Sequence, residues 1–205
     1  MVSPAPRWSS KSALTGIGLA STHLTRLEEQ AEDVAREAAV LAEELGVEGS
    51  SWVEEGRRMM AEGRAHFKAL YSWGKKRHQA CSMAPTTCRL LKDFHAASRC
   101  PKCQARMVVV EGGSSQVGRV GPTNSRLRAL LPLTTTTASI TVGDSTVDLE
   151  QGKLLVIDDS FDSRIINKGE ERLVVLMVDF QHPDLTDRQR KDSYSERGQL
   201  QFSIY

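Results

Sequence analysis

Two arginines near the middle of the chain have the type and the spacing of an anion-binding site. They close the segment Gly121-Pro122-Thr123-Asn124-Ser125-Arg126-Leu127-Arg128, in which a turn leads into a predicted strand. Because side chains alternate along a strand, Arg126 and Arg128 are expected on one face, where two guanidinium groups can hold a carboxylate. On the residues alone, a surface strand edged with charge is the favoured alternative.

A second polar group follows another predicted strand. The run Asp158-Asp159-Ser160-Phe161 contains paired aspartates, Arg172 opens a long apolar strand, and Gln181-His182-Pro183-Asp184-Leu185 follows that strand. Carboxylates at the end of a buried strand either bind a metal ion or cap a turn. The residues alone favour the turn.

These side chains need a frame of strands to position them. Beyond Lys102, short β-rich runs alternate with turn residues such as Gly112-Gly113 and Gly143-Asp144. Six short strands at this spacing predict a sandwich or a jelly-roll barrel. The strand candidates are Met107–Val110, Arg126–Leu131, Ser139–Val142, Thr146–Leu149, Leu154–Ile157 and Leu173–Phe180.

The part of the chain before Lys102 has helical periodicity instead. Apolar residues spaced three and four apart from Leu24 to Leu45 predict an amphipathic helix that ends near Gly46. A second helix is predicted from Ser51 to about Tyr71, so that residues 24–71 form a helical hairpin. Packing of the two helices on each other is favoured over a coiled coil. A coiled coil would mean that the first helix binds a protein partner. A short helix is also predicted to begin at Pro85.

The composition excludes some classes of partner. The 27 basic and 26 acidic residues give a net charge of only +1, which does not indicate nucleic acid or an anionic membrane as a partner. No run approaches the length of a membrane-spanning helix. The first 27 residues contain no Asp or Glu, and we interpret residues 1–23 as a targeting leader or a disordered tail.

Four cysteines stand at positions 81, 88, 100 and 103. Only Cys100 and Cys103 have the spacing of a zinc knuckle, and a zinc ribbon needs two such knuckles. This spacing is compatible with one or two disulfides and also with four free thiols.

Three motifs, taken in order, make the sequence resemble the aspartyl/asparaginyl β-hydroxylase family. The resemblance covers about residues 68–187 and includes upstream matches at Tyr71, Gly74 and the run 80–88. It implies a mainly β double-stranded β-helix (jelly-roll) barrel at 72–187, with N-terminal helices before it and a polar tail at 188–205. It also implies a disulfide between Cys81 and Cys88, which together with the acid-free N-terminus suggests the secretory pathway or an organelle. The motifs are Gly121-Pro122-Thr123-Asn124-x-Arg126-Leu127-Arg128, Asp158-Asp159-Ser160-Phe161 and His182-Pro183-x-Leu185.

The chain departs from the family at the positions that the resemblance assigns to the reaction. The family's two iron-binding histidines correspond to Arg119 and Ser163 here. A histidine and a serine that hold 2-oxoglutarate correspond to Leu130 and Val108. The arginines that match are Arg172, at the position that pairs with the distal carboxylate of 2-oxoglutarate, and Arg128, at one that contacts the acidic substrate.

These departures predict a catalytically impaired member, a pseudoenzyme with no metal and no cofactor. A guanidinium group is permanently protonated and cannot donate to a metal, and none of the five histidines falls at either ligand position. We expect Arg119, Arg128 and Arg172 to bind a carboxylate together, in an acidic peptide or a small dicarboxylate. The alternative is an active dioxygenase that uses Fe(II) and 2-oxoglutarate to hydroxylate Asp or Asn in a protein.

Overall fold

The larger of two antiparallel sheets forms the centre of the fold in the computed structural model, which describes residues 19–48, 50–135, 137–186 and 188–189. Most of the predicted leader and most of the predicted tail lie outside these residues. The strands of this sheet are β1 (Val53–Glu54), β3 (Ala65–Ser72), β4 (Lys75–Lys76), β5 (Gln104–Val110), β7 (Arg126–Pro132), β10 (Leu155–Ile157) and β12 (Leu173–Gln181). Their order is β1-β3-β5-β12-β7-β10, and β4 pairs with β3.

The smaller sheet provides the second layer. Its strands are β2 (Met60–Glu62), β6 (Ser114–Gln116), β8 (Ala138–Val142), β9 (Ser145–Asp148) and β11 (Ser163–Asn167). Their order is β2-β6-β11-β8-β9. All six predicted strands are present, and the mainly β jelly-roll class is confirmed. Among the described strands no ladder joins the two sheets, so the fold is an open pair of sheets and not a closed barrel.

The alternation of side chains along β12 determines which residues reach the space between the sheets. Leu173, Val175 and Met177 belong to the cluster between the sheets, whereas Val174 and Leu176 belong to the cluster under the helices. Both faces of β12 are buried, which explains why its sequence is a continuous apolar run.

The described residues form five α-helices, which share a core with the outer face of the larger sheet. The predicted amphipathic helix is present but is divided at Gln30, and Leu24, Val34 and Leu41 are buried in the same core as the sheet. Its apolar face is therefore used within the chain. In the described residues no helix is long and apolar enough to span a membrane. The helices are α1 (Leu19–Glu29), α2 (Ala31–Glu43), α3 (His78–Met83), α4 (Pro85–Asp93) and α5 (His95–Ser98).

The predicted second helix, from Ser51 to about Tyr71, is wrong. This segment contains β1, a short 3-10 helix (Arg57–Met59), β2 and β3. Gly63 interrupts it with a φ of 70°, a left-handed conformation that a continuous α-helix cannot contain. From Ala65 onward β3 pairs with β5, so pairing within the sheet overrides a spacing that is also compatible with a helix.

All four cysteines form disulfides. The Cys81–Cys88 bond, which the family resemblance implied, joins α3 to α4. The Cys100–Cys103 bond, which the sequence left open, closes the loop between α5 and β5.

A carboxylate on α2 caps the N-terminus of α4. Glu37 accepts hydrogen bonds from the backbone N–H groups of Thr86, at 2.6 Å, and Thr87, at 2.8 Å. We expect Glu37→Ala to lower the free energy of unfolding by about 1–2 kcal/mol, because two N–H groups of the first turn lose their acceptor. Urea unfolding measures the change. Glu37→Gln, which keeps one acceptor oxygen, is expected to lose less, and an Ala variant as stable as the wild type would contradict the capping role.

Candidate functional site

The two sheets enclose a cavity of about 760 Å³ whose lining is rich in arginine. Among the described residues, six arginines and only two carboxylates, those of Asp159 and Asp179, line it. Glu55 lies just behind two of these arginines, so positive charge remains in excess. The lining arginines are Arg58, Arg106, Arg119, Arg126, Arg128 and Arg164.

Arg119 and Ser163, which correspond to the family's iron ligands, lie directly opposite each other. They form an antiparallel bridge in which the N–H of Arg119 donates to the carbonyl of Ser163 at 3.0 Å, and the reverse bond measures 2.9 Å. Both residues line the cavity. The fold therefore brings the two positions together although neither carries a histidine.

The residues around this pair do not fit a metal ion. No histidine or cysteine from the described part of the chain lines the cavity, and no group of three or more potential ligands occurs in that part. Asp162, beside Ser163, is absent from the lining, because neighbouring side chains of an extended segment point to opposite sides. The two carboxylates in the lining, those of Asp159 and Asp179, are already held by Arg126 and Arg128, so the residues present do not provide a ligand set for iron.

Arg126 and Arg128 lie on one face of β7, as the sequence predicted, and form a buried charge network with two aspartates. Arg126 lies 2.8 Å from Asp159 and 3.1 Å from Asp179. Arg128 lies 2.9 Å from Asp159 and 2.8 Å from Asp179. The charges of these two arginines are therefore largely balanced within the protein.

Within the network, the pKa values of Asp179 and Arg128 are shifted toward the charged forms. Burial alone would raise the pKa of Asp179, but Arg128 and Arg126 overcome this effect and hold that pKa below its ordinary value. Burial likewise opposes the charge of Arg128, yet Asp179 and Asp159 raise its pKa above the ordinary value. Both groups stay ionised in the folded protein.

Arg106 and Arg119 differ from Arg126 and Arg128 because their guanidinium N–H groups have no oxygen acceptor within hydrogen-bond distance. The closest carboxylate of each is Glu55, at 3.7 Å from Arg106 and 3.8 Å from Arg119, beyond hydrogen-bond distance. Their side-chain hydrogen bonds go to sulfur, from Arg106 to Met177 at 3.9 Å and from Arg119 to Met59 at 3.4 Å. Both guanidinium groups can thus donate to a ligand in the cavity.

The pKa of Arg106 reflects this incomplete neutralisation. Burial, assisted by the nearby charge of Arg128, lowers the pKa of Arg106 to about 10. An anion in the cavity would relieve this cost. Arg106 was not predicted as a site residue, although it alternates with Val108 in a β-rich run and so lies on the same face of β5.

Arg172, which was expected in the site, lies outside it. Its side chain is 55% exposed, and its Nε donates to Glu111 at 2.9 Å on the surface. The inner face of β12 carries Leu173 and alternate residues after it, and Arg172 is out of phase with them. The structure therefore brings Arg119, Ser163 and Arg128 together and does not bring Arg172 to them. Leu130 lines the cavity, whereas Val108 is buried behind the lining.

Sequence comparison relates the chain to one family of enzymes. The family model described as aspartyl/asparaginyl beta-hydroxylase matches residues 28–183. The mouse aspartyl/asparaginyl beta-hydroxylase is 34% identical over 124 residues, which are 60% of this chain and 17% of the mouse protein. The human protein of the same name is 33% identical over 124 residues, 60% of this chain and 16% of that protein. The chain thus spans about a sixth of the length of these curated relatives.

Solved structures with a similar arrangement include cupins. A cupin-like protein from Thermotoga maritima has a TM-score of 0.40 and 15% identity, covering 68% of this chain and 90% of that one. A predicted oxalate decarboxylase from the same organism has a TM-score of 0.40 and 13% identity, covering 58% of this chain and 83% of that one. At these identities the likeness concerns the fold alone.

Proposed function

Because the chain belongs to the aspartyl/asparaginyl β-hydroxylase family, we propose that it keeps the fold of these enzymes as a catalytically impaired domain that binds a carboxylate. One observation carries this proposal. Arg106 and Arg119 both line the cavity, Arg119 at a position of the family's iron ligands, and neither guanidinium group has an oxygen acceptor within hydrogen-bond distance. A small dicarboxylate and an acidic side chain of a peptide both carry the group that the site requires.

A carboxylate fits this site because of charge and geometry. Its two oxygens match the paired donors of a guanidinium group, and such bonds are roughly twice as strong as neutral ones. The excess of arginine over carboxylate in the lining supports an anionic ligand over a neutral one. A carboxylate between Arg106 and Arg119 would also accept hydrogen bonds from guanidinium groups whose own side-chain hydrogen bonds go to sulfur.

The arginines expected to bind the carboxylate were Arg119, Arg128 and Arg172, and the structure replaces one of these three. Arg106 takes the place that the sequence analysis gave to Arg172, since Arg172 is bound to Glu111 at the surface. Arg128 contributes positive charge to the site while its hydrogen bonds hold Asp159 and Asp179. The pair that receives the ligand is therefore Arg106 and Arg119.

We expect Arg106→Gln to weaken carboxylate binding about tenfold, equivalent to ~1.4 kcal/mol, because one charge-assisted contact is lost. Isothermal titration with a panel of carboxylates, including succinate, 2-oxoglutarate and an aspartate-rich peptide, measures the change. Arg172→Ala is the matched control, since it removes an arginine that does not line the cavity. Equal losses in the two variants, or no binding of any carboxylate, would contradict the proposal.

A catalytically impaired domain differs from an active dioxygenase in a property that can be measured. With Fe(II) supplied in excess, we expect no conversion of 2-oxoglutarate to succinate, because the positions of the iron ligands carry an arginine and a serine. Turnover that depends on added iron would instead support the alternative, an enzyme that hydroxylates Asp or Asn in a protein.

A further inference from the structure

The β3–β4 hairpin forms part of the rim of the cavity. Trp73 and Gly74 form the turn between the two strands. Trp73 lines the cavity and is 56% exposed. Its backbone N–H donates to the carbonyl of Cys103 at 3.0 Å, which fixes the turn against the loop that leads into β5. The tip of the hairpin therefore stands where the cavity opens to solvent.

The pairing of the strands places Lys75, the first residue of β4, on the cavity side of the sheet. Lys75 pairs with Ser72, and Ser72 in turn pairs with Gln104 of β5. Side chains of paired residues project to the same face of an antiparallel sheet. Gln104 and Arg106 alternate along β5, and both line the cavity. Lys75 therefore lies on the same face as Arg106, nearer the rim.

The neighbouring Lys76 projects to the opposite face. It pairs with Tyr71, whose side chain is buried in the core beneath the helices. Successive side chains of a strand point to opposite faces, and both lysines are exposed. The hairpin thus carries two exposed lysines that differ in the face of the sheet on which they lie.

The side chain of Lys75 can receive a ligand. It has no carboxylate partner among the residues that the structure describes. Two strand spacings separate β4 from β5, and Arg106 lies two residues beyond Gln104, so the Cα atoms of Lys75 and Arg106 are about 12 Å apart. A ligand carboxylate between Arg106 and Arg119 lies deeper in the cavity than Lys75. Lys75 is therefore placed to meet a second acidic group, nearer the rim, on the same ligand.

An extended peptide provides two acidic groups at a suitable spacing. Alternate side chains of an extended chain lie on one side, about 7 Å apart, and the flexible side chains of lysine and glutamate bridge the remaining distance. A small dicarboxylate such as succinate has its two carboxylates closer together than these side chains. The distance between the two cationic positions therefore favours an acidic peptide.

Trp73 supplies a surface for such a peptide beside Lys75. Tryptophan combines a large apolar ring system with an N–H donor and is enriched among the residues that dominate binding at interfaces. Its φ of 56° is left-handed, a conformation that is costly for a bulky side chain and that glycine adopts without strain. The turn alone would favour glycine or asparagine at this position, so binding explains the exposed indole better than folding does.

We infer that the β3–β4 hairpin is a second binding position for an acidic peptide. One acidic side chain of the peptide enters between Arg106 and Arg119, another meets Lys75, and the peptide passes over Trp73. The inference rests on the proposed carboxylate-binding function and specifies the class of ligand, a peptide with two acidic side chains.

Isothermal titration at low ionic strength with two capped peptides, one with a single glutamate and one with the sequence Glu-Ala-Glu, tests the second position. The wild type is expected to bind the Glu-Ala-Glu peptide about fivefold more tightly, because one exposed ion pair is added. Lys75→Gln is expected to lose most of this advantage. Lys76→Gln is the matched control, since it removes the same charge from the same strand on the other face, and it is expected to keep the advantage.

The possible results separate this inference from the function on which it rests. Equal losses in the two lysine variants, or an advantage that persists in Lys75→Gln, would overturn the inference while carboxylate binding stands. Binding of succinate but of neither peptide would overturn it in the same way. Failure of the peptides and of every small carboxylate to bind would reject the proposed function itself.

The substitution Trp73→Gly provides a second measurement. Because glycine adopts a left-handed φ freely, the variant is expected to unfold at no lower temperature than the wild type, while its affinity for the Glu-Ala-Glu peptide falls about tenfold. A variant that binds this peptide as tightly as the wild type would contradict the place of Trp73 in the binding surface. The lysine variants, which change only exposed side chains, decide the question if this variant is destabilised.

Discussion

The double substitution Arg119→His, Ser163→His is expected to give this chain a site for a divalent metal ion, with affinity about 100-fold or more above that of the wild type, equivalent to ~2.7 kcal/mol. The two positions form a hydrogen-bonded antiparallel pair that lines the cavity, so their Cα atoms lie about 5.5 Å apart. Two imidazoles at this spacing can share one ion, as in non-haem iron sites. The substitution also removes a permanent positive charge from the position of the ion.

Titration with Co(II), followed by its visible absorption and by calorimetry, measures the gain. The variant Arg119→Ala, Ser163→Ala is the matched control, because it removes the same guanidinium group without supplying an imidazole. Each single histidine variant is expected to fall well below the double variant. A gain of equal size in the alanine pair would show that charge removal alone is responsible, contrary to the interpretation of these positions as former ligands.

Loss of the carboxylate of Asp179 is expected to destabilise the folded protein strongly. Asp179 holds Arg126 at 3.1 Å and Arg128 at 2.8 Å, and its side chain is 5% exposed. Asp179→Ala leaves both arginines buried with only Asp159 as a shared partner, and breaking a buried ion pair in this way costs about 3–5 kcal/mol. Urea unfolding followed by far-UV circular dichroism measures the loss.

The surface pair of Arg172 and Glu111 is the control for that experiment. Arg172→Ala breaks this surface ion pair, which contributes at most about 1 kcal/mol. Similar losses in the two variants would show that the buried network is not a special source of stability.

The lowered pKa of Asp179 makes the free energy of unfolding depend on pH. Its pKa in the folded protein lies below the ordinary value of 3.8, so its contribution is fully present above that value and is lost as the pH falls through the folded pKa. The free energy of unfolding of the wild type should therefore decrease as the pH is lowered below about 4. Asp179→Asn cannot titrate, and its unfolding should depend less steeply on pH over this window.

The strands of the fold were predictable because each carries a local pattern. Leu173–Phe180 is an almost continuous apolar run, and Arg126–Leu131 follows a clear turn. The error over residues 51–71 has a definite cause. Met59, Met60 and Phe67 have spacings that suit a helix as well as a strand. Only pairing with strands farther along the chain decides between them, since Met60 pairs with Gln116 of β6 and Phe67 with Val108 of β5.

The site was predictable at the positions that a motif fixes and not at those that depend on strand phase. Motif matching identified Arg119 and Ser163, and the structure places them side by side. It also identified Arg172, but a match gives the identity of a residue and not the face of the strand on which it lies. Arg106 belongs to no motif, and its role depends on the phase of β5, which places it in the cavity lining with Arg119.

The bridge between Arg119 and Ser163 bears on how such a protein arises during evolution. The two hydrogen bonds that define it join main-chain atoms, so they place no requirement on either side chain. Mutations at these two codons can therefore remove or restore a metal-binding pair without changing the register of the strands. The scaffold is in this sense neutral toward the side chains at these two positions, and selection on folding alone would neither favour nor oppose a metal-binding pair there.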